Sequence, residues 1–258
     1  MIYYFRLKFC DTMNIKKHIP NLITLGNLLS GTIASILAVK GDFYGTAIMV
    51  ILGISFDFFD GFAARILKVQ GDLGKQLDSL ADMVTSGVVP GIVMLQMLIN
   101  AIDLDAVGYF GIDHYGKSGS NLPYLGLLLT LSAGYRLAKF NIDSRQSDHF
   151  IGLPTPAMSL FVISLPLIYE YGEQQFFLEL LCNEYLLILI TLLLSFLMNA
   201  EIPLFSLKFK SFRFKDNWIK FMFLMISILL IVMLKIIAVP IIILLYVFIS
   251  VFQNIAKN

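Results

Sequence analysis

Uninterrupted apolar stretches recur along the whole chain. Several reach about 18 residues or more, enough to cross a hydrocarbon core of roughly 30 Å. In lipid every backbone N–H and C=O must be bonded within the protein, so only helices and closed barrels can span. The alternating ten-residue segments of a barrel are absent, which leaves helices. Only 14% of the residues are charged, against about 25% in soluble domains. The chain is therefore expected to be an all-α integral membrane protein.

Eight spans are expected. Pro20 and Asn21 open the first, at about 21–39, and Lys40-Gly41-Asp42 forms a tight turn into a second at about 43–66. A short connection leads to a third helix from about Gly74 to Asn100. Residues 101–121 form a polar loop, followed by spans at about 122–141, 156–171 and 176–199. The last apolar region, about 217–255, is too long for one crossing, and Lys235 and Pro240 divide it into two. With the N-terminus in the cytoplasm, every Lys and Arg except Lys40, Lys117 and Lys235 falls on the cytoplasmic side, as the positive-inside rule requires. Both termini then face the cytoplasm. Residues 1–19 mix aromatic and basic side chains and suit an interfacial helix on an anionic leaflet, or else a frayed tail. They lack the apolar core and cleavage site of a signal peptide. The chain reads as one membrane domain over 1–258: the interfacial segment 1–19, a six-span core over 20–199, and a basic loop with two further spans over 200–258. Cys10 and Cys182 are too few for a disulfide framework or a zinc site, and read as packing residues.

Against this background Asp57, Asp60, Asp78 and Asp82 demand an explanation, because a carboxylate inside a membrane costs several kcal/mol unless paired or bound to a cation. At 100° per residue Asp57, Asp60, Gly61 and Ala64 share one helix face. Gly74, Asp78 and Asp82 stack on one face of the next helix, and the short connection makes the two helices antiparallel neighbours. Carboxylates brought together in this way repel, and either take up protons or bind cations. Oxygen ligands without Cys or His suit Mg²⁺, Mn²⁺ or Ca²⁺ rather than zinc. The small residues beside them let a ligand approach closely. Taken singly, each residue has a plainer reading: Gly and Ala as helix packing, Asp72 as a helix N-cap, Arg65 as a snorkelling boundary cation.

The stretch Asp57-x2-Asp60-Gly61-x2-Ala64-Arg65-x8-Gly74-x3-Asp78-x3-Asp82 resembles, without a gap, the signature of the CDP-alcohol phosphatidyltransferases. That resemblance implies six or more transmembrane helices, a cytoplasm-facing polar cavity, usually a homodimer, and attack of an alcohol on a CDP-activated lipid with release of CMP. It also implies roles. Asp57 and Asp78 would bridge two metal ions, Mg²⁺ or Mn²⁺; Asp60 would complete the shell of the first ion and Asp82 that of the second. Asp82 would also be the general base. Gly61, Ala64, Arg65 and Gly74, with Gly71, would surround the cytidine diphosphate.

Asn21, Thr24 and Asn27, at steps of three, lie near one helix face and suit the nucleotide or the surroundings of the metal; the alternative is polar glue between helices. These residues, together with Ala133–Asn141 and Phe150–Pro156, are similar to the membrane-embedded phosphatidylserine synthases of bacteria and archaea, over about residues 14–160. Serine's carboxylate wants a fixed guanidinium, for which Arg136 is the first candidate and Arg145 the second, with Asn141 as a polar partner. A boundary anchor is the alternative for Arg136. The expected partners are L-serine, CDP-diacylglycerol or CDP-archaeol, and membrane lipids, with the plasma membrane as location; nucleic acid is not expected. Glycerol 3-phosphate or inositol phosphate is the alternative acceptor. A cation transporter is the competing class, disfavoured because the acids crowd the ends of two helices instead of being distributed through the bilayer.

Overall fold

The computed structural model describes residues 18–69, 71–102, 120–143, 150–172, 175–205 and 214–255. The expected interfacial helix over 1–19 and most of the polar loop over 101–121 lie outside them. Helix α1 (His18–Lys40) and helix α2 (Phe43–Leu67) form an antiparallel hairpin. Its turn places Gly41 at φ 79°, a left-handed conformation that glycine adopts without steric cost. Asp42 then caps α2, accepting a hydrogen bond from the Gly45 amide at 2.8 Å.

Helix α3 (Asp72–Met83), a π-helical segment (Val84–Val88) and helix α4 (Val89–Ile102) form one continuous rod. It starts two residues earlier than the sequence reading placed it. Gly71, in extended conformation, is the N-cap. Asp72 instead sits in the first turn, where its charge complements the helix dipole. In the most apolar window of this rod 78% of the residues are buried, against 33% for α1 and 22% for α2. A helix that is apolar all round belongs at the centre of a bundle, and both α1 and α2 pack against this one.

A 3₁₀ turn (Leu122–Leu127) leads into helix α5 (Leu128–Ile142). Strand β1 (Phe150–Ile151) precedes helix α6 (Thr155–Tyr171). The expected sixth span is divided: helix α7 (Gln175–Leu181) stops, and helix α8 (Glu184–Asn199) restarts with Asn183 as its cap, accepting from the Leu186 amide at 3.1 Å. Strand β2 (Pro203–Leu204) pairs antiparallel with β1, Phe150 opposite Leu204 and Ile151 opposite Pro203. The sequence reading contained no strand. Helix α9 (Phe214–Leu234), a 3₁₀ turn (Lys235–Ile237) and helix α10 (Ala238–Ile255) complete the chain. The break falls at Lys235, whose φ is 51°. Pro240 lies in the first turn of α10, where its missing N–H costs nothing.

The core lies where α4, α6 and α8 meet, around Val93, Met94, Leu98, Met158, Val162, Leu187 and Leu194. Among the described residues, four helical stretches are long and apolar enough to cross a membrane: His18–Lys40, Phe43–Leu67, Asp72–Ile102 and Asn217–Ile255, the last taking in most of α9 with α10. Helices α5, α6 and α8 coincide with expected spans but have 15, 17 and 16 residues, short of the roughly 20 that a full crossing takes. The molecule is a multi-pass, all-helical membrane protein.

The β1–β2 pair is held by side chains from two helices, α5 and α10. Arg136 on α5, 7% exposed, donates from Nη1 to the carbonyls of Ile151 at 2.9 Å and Met198 at 2.7 Å. Gly152, at φ 73°, passes so close that a Cβ there would lie 2.9 Å from Arg136 Nη1. From α10, Tyr246 donates to the Phe205 carbonyl at 2.9 Å and Asn254 to the Pro203 carbonyl at 2.5 Å.

Candidate active site

The acids meet as the helical spacing requires. Asp57 and Asp60 come from the last turns of α2 and Asp78 from the second turn of α3; one carboxylate oxygen from each lies within 4.8 Å of the others. At that separation two unit charges repel by about 3 kcal/mol at an effective dielectric of ~20. Asp60 is buried, and Asp57 and Asp78 are half-buried. Asp78 Oδ1 is buried without a hydrogen-bond partner among the described residues. A convergent set of hard oxygen donors with one orphaned lone-pair atom fits a divalent cation of the Mg²⁺, Mn²⁺ or Ca²⁺ type. Asp82 stands one turn further along α3, beyond this three-acid group.

Helix α1 runs along both acidic helices, and Asn21, Thr24 and Asn27 on it each meet a different part of the site. The side-chain oxygen of Asn21 lies 3.4 Å from where a Cβ on Gly74 would stand. The Thr24 hydroxyl is within reach of both Asp60 Oδ2 and the Pro20 carbonyl, and its single hydrogen serves one at a time. Asn27, fully buried, donates from Nδ2 to Asp82 Oδ1 at 3.1 Å. The nucleotide and metal-surroundings readings of this triplet thus divide: Thr24 and Asn27 hold carboxylates, and Asn21 faces the glycine.

Gly61 and Gly71 border open space, since a Cβ at either would meet nothing within 4 Å. Arg65 is exposed on the following turn and donates from Nε to the Gly61 carbonyl at 3.0 Å. Ala64 is half-buried between them. Of the three residues expected to meet serine, Asn141 is tied to the acidic helix: its Nδ2 donates to Ser79 Oγ at 2.8 Å, and its carbonyl accepts from Lys75 Nζ at 2.5 Å. Arg136 has its Nη1 engaged by main-chain carbonyls, as described above. Arg145 lies outside the described residues.

Sequence reasoning passed over Ser79 and Lys75, which link α3 to α5, and Thr85, which donates to Asn27 Oδ1 at 2.7 Å. The signal for Thr85 was its spacing of three from Asp82, which puts both on neighbouring positions of one helix surface.

A polytopic helical bundle with an acidic, cation-fitting centre between two antiparallel helices defines a membrane-embedded metal-site protein. Comparison with known families narrows this: residues 17–197 match the CDP-alcohol phosphatidyltransferase model. The chain belongs to that family. It is similar to the CDP-diacylglycerol–serine O-phosphatidyltransferase of Bacillus subtilis, at 31% identity over 157 residues, 59% of this chain and 77% of the relative. It is also similar to the archaetidylserine synthase of Methanothermobacter thermautotrophicus, at 28% identity over 60% of each chain. A third relative is the CDP-diacylglycerol–serine O-phosphatidyltransferase of Helicobacter pylori, at 31% identity over 56% of this chain and 55% of the relative. The similarity thus spans less than two thirds of the second and third of these relatives.

Proposed function

We propose that the protein transfers the phosphatidyl-type group of a CDP-activated lipid to the hydroxyl of L-serine and releases CMP. The observation that carries this reading is the convergence of Asp57, Asp60 and Asp78 with Asp82 one turn away, in a chain whose relatives are named for serine transfer. When bound, two divalent cations, Mg²⁺ or Mn²⁺, would neutralise the diphosphate and the charge developing on the departing CMP. Asp57, Asp78 and Asp60 would hold one of the ions, and Asp57, Asp78 and Asp82 the other. Asp82 would accept the serine hydroxyl proton as the new P–O bond forms and the P–O bond to CMP breaks. Gly61, Gly71 and Gly74, with Asn21, Ala64 and Arg65, form the nucleotide cradle, and Asn141 beside Ser79 is the serine contact that the geometry supports best. Arg136 would act on serine through the rest of its guanidinium, and Arg145 is the second cation for the carboxylate.

The location that goes with this reading is the plasma membrane, crossed eight times, with both termini and the site facing the cytoplasm, as a homodimer and a single domain. The 3₁₀ turn and α5 together are roughly 35 Å long, which supports a full crossing by that segment.

Purified protein given Mn²⁺, CDP-diacylglycerol and a panel of labelled alcohols is expected to form the phosphoserine lipid and CMP. Turnover of glycerol 3-phosphate but not serine would overturn the choice of acceptor. Gly61→Leu is expected to fold with an unchanged melting temperature, because its side chain enters open space. It should raise KM for the CDP-lipid at least tenfold, since every 1.4 kcal/mol of lost binding is a factor of ten. An unchanged KM would remove Gly61 from the cradle.

A further inference from the structure

Beneath the acids, three helices come together around one threonine. The π-helical segment places Thr85 against α1 and α2, where it is fully buried. Its hydroxyl lies 2.7 Å from Asn27 Oδ1 and 3.2 Å from the Asn27 carbonyl. With one hydrogen to give, it serves the nearer oxygen. That contact fixes which way the Asn27 carboxamide points. If the amide were turned over, its oxygen would face the Asp82 carboxylate, placing two acceptors against each other in a buried setting. With Thr85 donating to the oxygen, the NH₂ group is directed to Asp82 Oδ1, as observed at 3.1 Å.

The backbone around this contact leaves no slack. A Cβ on Gly53 would lie 2.7 Å from Thr85 Cγ2 and 2.9 Å from Asn27 Oδ1. One on Gly31 would lie 2.9 Å from the Thr85 amide nitrogen and closer still to its hydroxyl. Glycines on both neighbouring helices therefore let the threonine and the asparagine sit side by side. The segment that carries Thr85 contains a π turn, which adds a residue to the turn and re-aims the side chains that follow relative to those before it. Asp82, the last acid, lies two residues before the π segment begins at Val84.

We propose that Thr85 is a positioning residue for the transfer reaction: it orients Asn27, and Asn27 holds Asp82 by Oδ1 so that Oδ2 is presented to the attacking hydroxyl. This rests on the reading of Asp82 as the base. It assigns a function to a residue outside the acidic signature, and to the π turn that carries it.

The test compares Thr85→Val, which keeps the shape and removes the hydroxyl, with Thr85→Ser, which keeps the hydroxyl. Thr85→Ala is the substitute should the valine variant not fold. Loss of such a supporting hydrogen bond typically costs 10- to 100-fold in activity or metal affinity. Thr85→Val is therefore expected to lower kcat by about 10- to 100-fold with KM for the CDP-lipid unchanged, and to raise the apparent Kd for Mn²⁺, followed by electron paramagnetic resonance, about tenfold. Thr85→Ser should restore both. A valine variant with the kcat and Mn²⁺ affinity of the parent overturns the proposal, and so does a serine variant as impaired as the valine one. If the parent protein transfers to no alcohol, the functional reading fails, and the Mn²⁺ titration alone decides the role of Thr85.

Discussion

Asp82→Asn is expected to abolish most turnover, lowering kcat by about 10²- to 10⁴-fold, the range a positioned general base contributes. The amide nearly reproduces the carboxylate's shape but cannot take a proton. Asp57→Asn should behave differently. Asp57 belongs to the group of three oxygens within 4.8 Å, so its loss removes a cation ligand and weakens Mn²⁺ and CDP-lipid binding more than Asp82→Asn does. Turnover assays and Mn²⁺ titrations on the two variants separate the roles. Near-normal activity in Asp82→Asn would remove it as the base.

Arg136→Lys is expected to lower the melting temperature of the purified protein in the absence of any substrate. One guanidinium nitrogen holds the carbonyls of Ile151 and Met198 together, and hydrogen bonds from a charged donor contribute about 1.5–3 kcal/mol each. The lysine side chain is shorter, so its ammonium, on a flexible stem, falls short of the position from which Nη1 reaches both carbonyls. Arg136→Met should be worse, because it also strands the buried Met198 carbonyl and the part-buried Ile151 carbonyl. If Arg136 served serine alone, the melting temperature would stand and only KM for serine would rise. A drop in melting temperature together with a raised KM for serine would show both roles in one side chain.

The acidic centre was legible because charge inside apolar sequence is costly and helical spacing decides which charges can meet. That argument fixed the faces of Asp57, Asp60, Asp78 and Asp82 without coordinates. The polar steps at Asn21, Thr24 and Asn27 were legible as a face, but not their partners. Whether Asn27 meets a nucleotide or Asp82 depends on how far α1 is rotated about its axis, which the spacing leaves open. The π turn over 84–88 was hidden because its residues, Val-Thr-Ser-Gly-Val, also fit an ordinary helix. Thr85 was hidden with it, since a threonine in an apolar run more often bonds to its own helix. The break between α7 and α8 was passed over because hydropathy averages across it, although Asn183 followed by Glu184 is a helix-start pair. Arg136 was legible as a cation at the inner end of a span, offered to serine or to the boundary. Its partners are carbonyls contributed by β1 and by the end of α8, and carbonyls leave no mark in a sequence.

The clamp on the β1–β2 pair has a consequence for how the molecule is made. The acids and their supports, Thr24, Asn27 and Thr85, all lie within the first 85 residues, and their contacts are complete once α1 to α3 and the π turn have been inserted. The strand pair that Arg136 braces is finished only when Tyr246 and Asn254 reach the carbonyls of Phe205 and Pro203. Ribosomal synthesis therefore delivers the acidic centre first and the last bonds to the strand pair at the end. Until the final helix enters the bilayer, the nascent chain carries an assembled set of carboxylates while the strand pair still lacks two of its anchors.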